Sequence, residues 1–414
     1  MEVKVLGWLK QNLRTRRDWG VALTAFTPLA LVVGRAPADW AVSIVAILFL
    51  FDSIVRRQWT WAKQAWVAAA LLLWAYSVIR AAFIQGDEGD GLLAAFVWLR
   101  YIVFAASMVE WTLAGEKGRR WLLTASLAAV LFLSVDGLIQ YVFGEDILGH
   151  KLYGSDRLTG PYKRPTLGMT IANLFTPVIF WFLSRKQNLF SILLANVCYV
   201  TIFLSGDRMG LVFASTVMIV WFFALLCVSK KYILVIVLNI CFLTLLFCFS
   251  PQVAERQIQS TAATAEALPS SPYGLVWKSA WQVGAAHPLF GVGMRQFRHA
   301  CTDESYGPVI NPRTGDMRCY THPHNHYMEW FSEAGLVGLL GFIGFVVTIG
   351  IGLFRRLLSN EADFVLLGLS AMLGIRLIPF FVTTSFFNNW SAIPFWLALG
   401  WAMSYKLSPI NFKF

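Results

Sequence analysis

The chain has 414 residues, of which 57% are hydrophobic and only 14% charged, with a mean hydropathy of +0.60 and a formal net charge of +11. A soluble domain carries roughly 25% charged residues, so the composition excludes a soluble globular enzyme and a disordered chain. It also argues against a nucleic-acid partner, because the cations sit in short clusters between long apolar runs and form no continuous stripe.

What remains is an all-α integral membrane protein, with 18 Trp and 33 Phe available for helix ends at both interfaces. Lys4, Lys10, Arg14, Arg16 and Arg17 precede an apolar run without a small-residue cleavage site, so no cleavable signal peptide is expected. Twelve apolar runs follow, at about 19–35, 40–55, 65–84, 92–112, 121–143, 167–183, 188–204, 209–228, 232–250, 327–354, 364–385 and 390–405. Each approaches the ~20 residues a helix needs to cross a bilayer. Cations concentrate in alternate loops (Arg56/Arg57/Lys63, Lys117/Arg119/Arg120, Arg185/Lys186, Lys230/Lys231, Arg355/Arg356) and in the tail at Lys406 and Lys413. The bias places both termini in the cytoplasm and the long segment 251–326 outside. The expected organisation is nine spans over 1–250, an outward loop with short helices over 251–326, and three spans with a cytoplasmic tail over 327–414.

Within that loop, Tyr273 to His287 has helical periodicity, with Val276, Trp277, Ala280 and Trp281 on one face. His287-Pro288 and the glycines of the following GVG stop it, Met294 to Ala300 can form a second short helix, and 302–321 reads as an irregular flap. Cys301 and Cys319 bracket the flap at a spacing suited to a disulfide if it faces an oxidising compartment. Arg100 and Arg376 fall inside predicted spans, where a charge is costly and marks a candidate functional site, and Asp136 is an intramembrane carboxylate available as a partner. The acidic Asp87-Glu88-Gly89-Asp90 suits either a divalent ion or a solvated turn.

Two constellations carry chemistry. Thr321-His322-Pro323-His324-Asn325-His326-Tyr327 places three of the six histidines directly before a long apolar helix. A neutral imidazole there can act as general base on a hydroxyl. Alternatively, an extended segment would turn His322, His324 and His326 to one face as metal ligands, or the histidines simply cap the helix. The second constellation is outward arginine. Arg208 follows Ser205-Gly206-Asp207 at a helix start, where free N–H groups favour an anion. Arg157, Lys163 and Arg164 share one loop, and Arg295 and Arg298 follow HPLFGVG. Converging guanidinium forks would hold pyrophosphate; lipid head groups are the alternative ligand.

These pieces resemble a family. His324-Asn325, nine residues, Gly335, two residues and Gly338 are similar to the signature of the O-antigen ligases, in the O-antigen ligase/polymerase superfamily. Arg157-Leu158-Thr159-Gly160-Pro161, Ser205-Gly206-Asp207-Arg208, and Trp277 through Pro288-Leu289-Phe290-Gly291-Val292-Gly293 resemble it in the same order, so the likeness runs from about 145 to 345. It implies a glycosyltransferase of the multi-spanning GT-C type with about twelve transmembrane helices and a helical periplasmic cap. Its partners would be an undecaprenyl-pyrophosphate-linked glycan donor, a lipid A–core acceptor and the surrounding lipids of the bacterial inner membrane. Reaction would occur at the periplasmic face; independently of the likeness, fixed cations such as Arg208 and a base opposite the leaving group make an inverting displacement without metal or cofactor the expected chemistry. By the same resemblance His324 is the base and Arg208 a pyrophosphate-binding cation; from their positions in the sequence, Arg157, Lys163, Arg164, His322 and His326 are expected around the substrate. Members often carry an Arg before the Trp that matches Trp277. Here the segment reads Ser271-Pro272-Tyr273-Gly274-Leu275-Val276, so Lys278 or Arg295 is expected to substitute. An O-antigen polymerase is the alternative within the superfamily, and Arg157 with Gly168 matches an Arg–ten–Gly spacing of polymerase loops. A protein O-oligosaccharyltransferase would carry a further C-terminal region. A lipid-linked sugar flippase would account for Arg100 and Arg376 but not for the histidines.

Overall fold

The computed structural model describes residues 15–83, 90–154, 156–306, 310, 315, 319–359 and 363–407. Lys4, Lys10, Arg14, Asp87-Glu88-Gly89, Lys413 and half of the 302–321 flap lie outside the described residues.

All twelve apolar runs are helical over most of their length. The helices are α1 (Arg16–Val33), α2 (Arg35–Arg56), α3 (Ala65–Phe83), α4 (Asp90–Ser107), α5 (Glu116–Phe143), α6 (Leu167–Ser184), α7 (Asn188–Leu204), α8 (Arg208–Val228), α9 (Tyr232–Phe249), α10 (Pro272–Ala286), α11 (His326–Ser359), α12 (Phe364–Arg376) and α13 (Asn389–Met403). Seven are long and apolar enough to cross a bilayer, with α4 extended through Thr112. The number rises to eight if Tyr232–Leu246 and the helical stretch Pro251–Glu266, sharply bent against it, form one span. The protein is therefore a multi-pass membrane protein, and no strand occurs among the described residues.

Several helix starts follow from their caps. Asp207 accepts Gly210 N–H at α8, Asp363 accepts Leu366 N–H at α12, and Ser271 accepts Gly274 N–H at α10 with Pro272 in the first turn. The run 364–385 departs from expectation, because its helix ends at Arg376. Pro379 cannot donate to an upstream carbonyl and disfavours helix at Ile378, and Val382, Thr383 and Thr384 are β-branched. Residues 377–388 instead fold back over the start of α11.

That start is packed into an aromatic cluster. Trp98, Trp330, Phe386, Phe387 and Trp396 meet edge to face or tilted at 5.4–6.4 Å between ring centres. Such pairs are worth about 0.5–1.5 kcal/mol each beyond area burial. They hold α4, α11, α13 and the 377–388 segment in fixed relation.

α11 itself breaks at Gly335, whose φ of +66° is left-handed. The backbone of the HPLFGVG stretch fills the break. Leu336 N–H donates to Pro288 O (2.7 Å) and Val337 N–H to Leu289 O (3.2 Å), while Val292 and Gly293 N–H donate to Ser332 and Glu333 carbonyls. A Cβ at Gly335 would lie 2.3 Å from the Leu289 carbonyl carbon, and one at Gly291 2.3 Å from that of Glu333. The sequence's two glycine motifs are thus two halves of one backbone contact.

Candidate active site

The loops at one end of the bundle, around 144–154, 156–166, 205–207, 251–306, 319–325 and 377–388, enclose the candidate site. Asn325 organises its centre. Its side-chain oxygen accepts Met328 N–H (3.1 Å) and caps α11, while its amide donates to the Pro379 carbonyl. Neighbouring side chains fasten the same segment. Tyr327 hydroxyl donates to Leu377 O (2.6 Å), Glu329 Oε2 accepts Phe386 N–H (2.8 Å), and His326 Nε2 meets Thr384 O (3.2 Å).

His324 has a positive φ of 56°, so the chain turns sharply there, and the His322 and His324 rings stay together with their centres 4.2 Å apart. The extended, single-faced arrangement expected of a metal triad does not form, and no group of three His, Cys, Asp or Glu among the described residues could hold a metal ion. His326 is buried against Phe342 and Phe386. His322 has its Nδ1 3.1 Å from Thr321 Oγ1. His324 lies edge-on between Tyr273 and Tyr320, at 5.8 and 5.6 Å. Its Nδ1 is 3.3 Å from the Thr383 carbonyl, which can only accept, so Nδ1 carries the proton and Nε2 holds the free lone pair. Burial pushes the His324 pKa below its usual 6.5, opposed by the bond to Thr383, and the ring is neutral at pH 7. Burial, reinforced by His324 and Arg298, pushes His322 down to about 3.

His324 joins two cavities. One, of about 220 Å³, contains Arg208, Thr264, Tyr273, Tyr320 and His324. The other, of about 250 Å³, contains Asp207, Asn173, Arg376, His326 and His324. Arg208 begins α8, and Asp207 fixes where it stands. Besides capping α8, Asp207 accepts Met169 N–H (2.9 Å) at the start of α6, so two helix N-termini lie side by side. Gly168 and Gly210 permit this approach, since a Cβ at either would come within 2.5–2.8 Å of Ser205 Oγ or Met169 N. Gly168, which matches a polymerase spacing in the sequence, thus has a packing role.

Arg157 reaches the same place from a loop held by Gln140, whose Oε1 accepts the Thr159 and Gly160 N–H groups (2.8 and 2.9 Å). Its Nε is buried without a hydrogen-bond partner among the described residues, and burial lowers its pKa although Asp207 supports the charge. An arriving anion would restore what burial removes. Beside it stands Arg256, bonded through one nitrogen to both oxygens of Asp156 (2.8 Å), with its side chain against Gly206 alongside that of Arg157. Sequence reading missed Arg256, although it is the sole cation between Lys231 and Lys278.

Other expected residues separate from this group. Lys278 lies on the exposed face of α10, roughly opposite the buried Val276 that lines the Arg208 cavity, and Arg295 lines a different cavity. Both stand apart from Arg157, beside which Arg256 is placed. Lys163 and Arg164 are exposed, next to Pro165 and Thr166 at the rim of the 250 Å³ cavity. The buried face of α10 is Leu275, Val276, Ser279, Ala280 and Val283, with Trp281 57% exposed. Arg100 pairs with Asp39 (2.9 Å), not with Asp136, which accepts Ile147 N–H. Arg376 is buried and donates to Ser391 O (3.0 Å). Cys301 and Cys319 are joined by a disulfide, their Cα atoms 5.3 Å apart.

The family model described as O-Antigen ligase matches residues 189–343. That interval contains Arg208, Arg256, the disulfide, His324 and the Gly335 break. No curated protein matches the chain.

Proposed function

The chain belongs to the O-antigen ligase/polymerase superfamily, and we propose that it is an O-antigen ligase, moving a glycan from undecaprenyl pyrophosphate to a sugar hydroxyl of lipid A–core. The observation that carries this is a neutral imidazole and a guanidinium lining one cavity, His324 and Arg208, with Arg157 and Arg256 beside them. In this reading the pyrophosphate lies against Arg208 and Arg157 at the paired starts of α6 and α8. Charge grows on the leaving oxygen as the glycosidic bond breaks, and fixed cations stabilise it most at that stage. Nε2 of His324 takes the proton of the attacking hydroxyl, while Thr383 holds the ring in the required tautomer. Attack opposite the leaving group inverts the anomeric carbon.

The same proposal counts α1, α7, α9, α12 and α13 as spans with the seven longer ones. This makes twelve, with both termini cytoplasmic and 251–326 a periplasmic cap between the blocks 1–250 and 327–414 of an inner-membrane protein. The lipopolysaccharide of a deletion strain tests the reading. A ligase predicts core without O-antigen and glycan accumulating on undecaprenyl carrier; a single O-unit on core would indicate a polymerase instead.

A further inference from the structure

The 321–326 segment separates His324 from another cavity, of about 300 Å³, to which it contributes Thr321 and His322. Four guanidinium groups line this cavity, from Arg35, Arg100, Arg295 and Arg298, against the carboxylates of Glu329 and Glu333. Both carboxylates accept backbone N–H groups, Glu329 from Phe386 and Glu333 from Arg295, each at 2.8 Å, and both also feel the charge of Arg298. Arg100 is occupied by Asp39. His322 Nε2 is buried with no hydrogen-bond partner among the described residues. Phe387 adds ring surface, and Asn388 and Asn389 add amides. Guanidinium forks match phosphate or carboxylate oxygens, amides and an imidazole match hydroxyls, and rings pack on apolar sugar faces.

We propose that this cavity binds an anionic sugar, its phosphate or carboxylate held by Arg35, Arg295 and Arg298. Calling that sugar part of the acceptor rests on the ligase reading; the site's preference for an anionic saccharide does not. The arrangement brings the attacking hydroxyl in past His322, whose ring centre is 4.2 Å from that of His324. Donor phosphates and acceptor charge are then read by separate arginine sets on two sides of the base.

The test is calorimetric binding of water-soluble core oligosaccharide to the purified full-length protein, without donor. Native, dephosphorylated and carboxyl-reduced forms separate the two possible anions. The native form binds, and removing the recognised group weakens binding at least tenfold. Arg298→Gln and Arg35→Gln each weaken it similarly. Arg35 is exposed, so its variant keeps the test valid if Arg298→Gln does not fold. No binding of the native form, equal binding of all three forms, or wild-type affinity in every folded variant overturns the proposal. Binding with the expected pattern but no transfer by the wild type leaves the anion site standing and removes the ligase reading. Transfer with an acceptor KM indifferent to charge does the reverse.

Discussion

His324 and Thr383 hold each other through the backbone and through the ring. Thr383 N–H donates to the His324 carbonyl at 2.9 Å, and His324 Nδ1–H donates back to the Thr383 carbonyl at 3.3 Å. The contact fixes both the left-handed turn and the tautomer, and it exists only because the helix of 364–385 stops at Arg376 and lets the chain return.

The pH dependence follows from that environment. A base works when unprotonated, and burial places the His324 pKa below 6.5. The neutral form therefore persists as pH falls through 6.5, and the acidic limb of kcat/KM lies below that value. A limb above 7 in a pH–rate profile would contradict the assignment.

Arg208→Ala should weaken donor binding and lower kcat, since it meets a charge present in the donor that grows on departure. Charge-assisted bonds of about 1.5–3 kcal/mol translate to roughly 10- to 150-fold. Arg208→Lys should recover part of this, because a point charge cannot reproduce a fork. Arg256→Gln should also raise the donor Kd, as measured by titration with undecaprenyl-linked glycan. If the arginines neutralise the leaving group, activity persists in EDTA; loss on chelation with restoration by zinc would contradict this.

Gly335→Ala should destabilise the protein strongly. The left-handed backbone alone costs about 1–3 kcal/mol for a residue with a Cβ, and here the added atom meets Leu289 backbone, which cannot rotate aside. Thermal unfolding in detergent should show a large loss, with a comparable one for Gly291→Ala. Gly344→Ala, where nothing lies within 4 Å of the new atom, should be near neutral.

Cys301→Ser should lower thermal stability, because the bridge closes a loop across a sequence separation of 18 that a chain-entropy estimate values near ~3 kcal/mol. Mass spectrometry of non-reduced protein should find the two cysteines linked; free thiols at both would contradict the pairing.

Helical runs were legible because apolar length and caps such as Asp207 are local properties. The end of α12 was signalled by Pro379, but the Leu, Ile, Phe and Val around it masked the signal in a hydropathy reading. The histidine and Arg208 motifs were visible as patterns. Their meeting in one cavity was not, since it depends on contacts between distant loops, as between Asp156 and Arg256. Lys278 or Arg295 was expected to substitute and Arg256 went unread, yet helical geometry turns Lys278 about 200° from Val276, two residues before it. Only the packing of α10 showed which face was buried.

In the proposed reaction His324 takes the proton while the arginines hold the donor. The most direct test is transfer from undecaprenyl-pyrophosphate-linked glycan to lipid A–core by purified His324→Ala, with donor affinity measured on the same preparation. The expected result is a fall in kcat of about 10²- to 10⁴-fold, the usual worth of a positioned base, with donor Kd close to that of the wild type. Wild-type transfer by His324→Ala would contradict it.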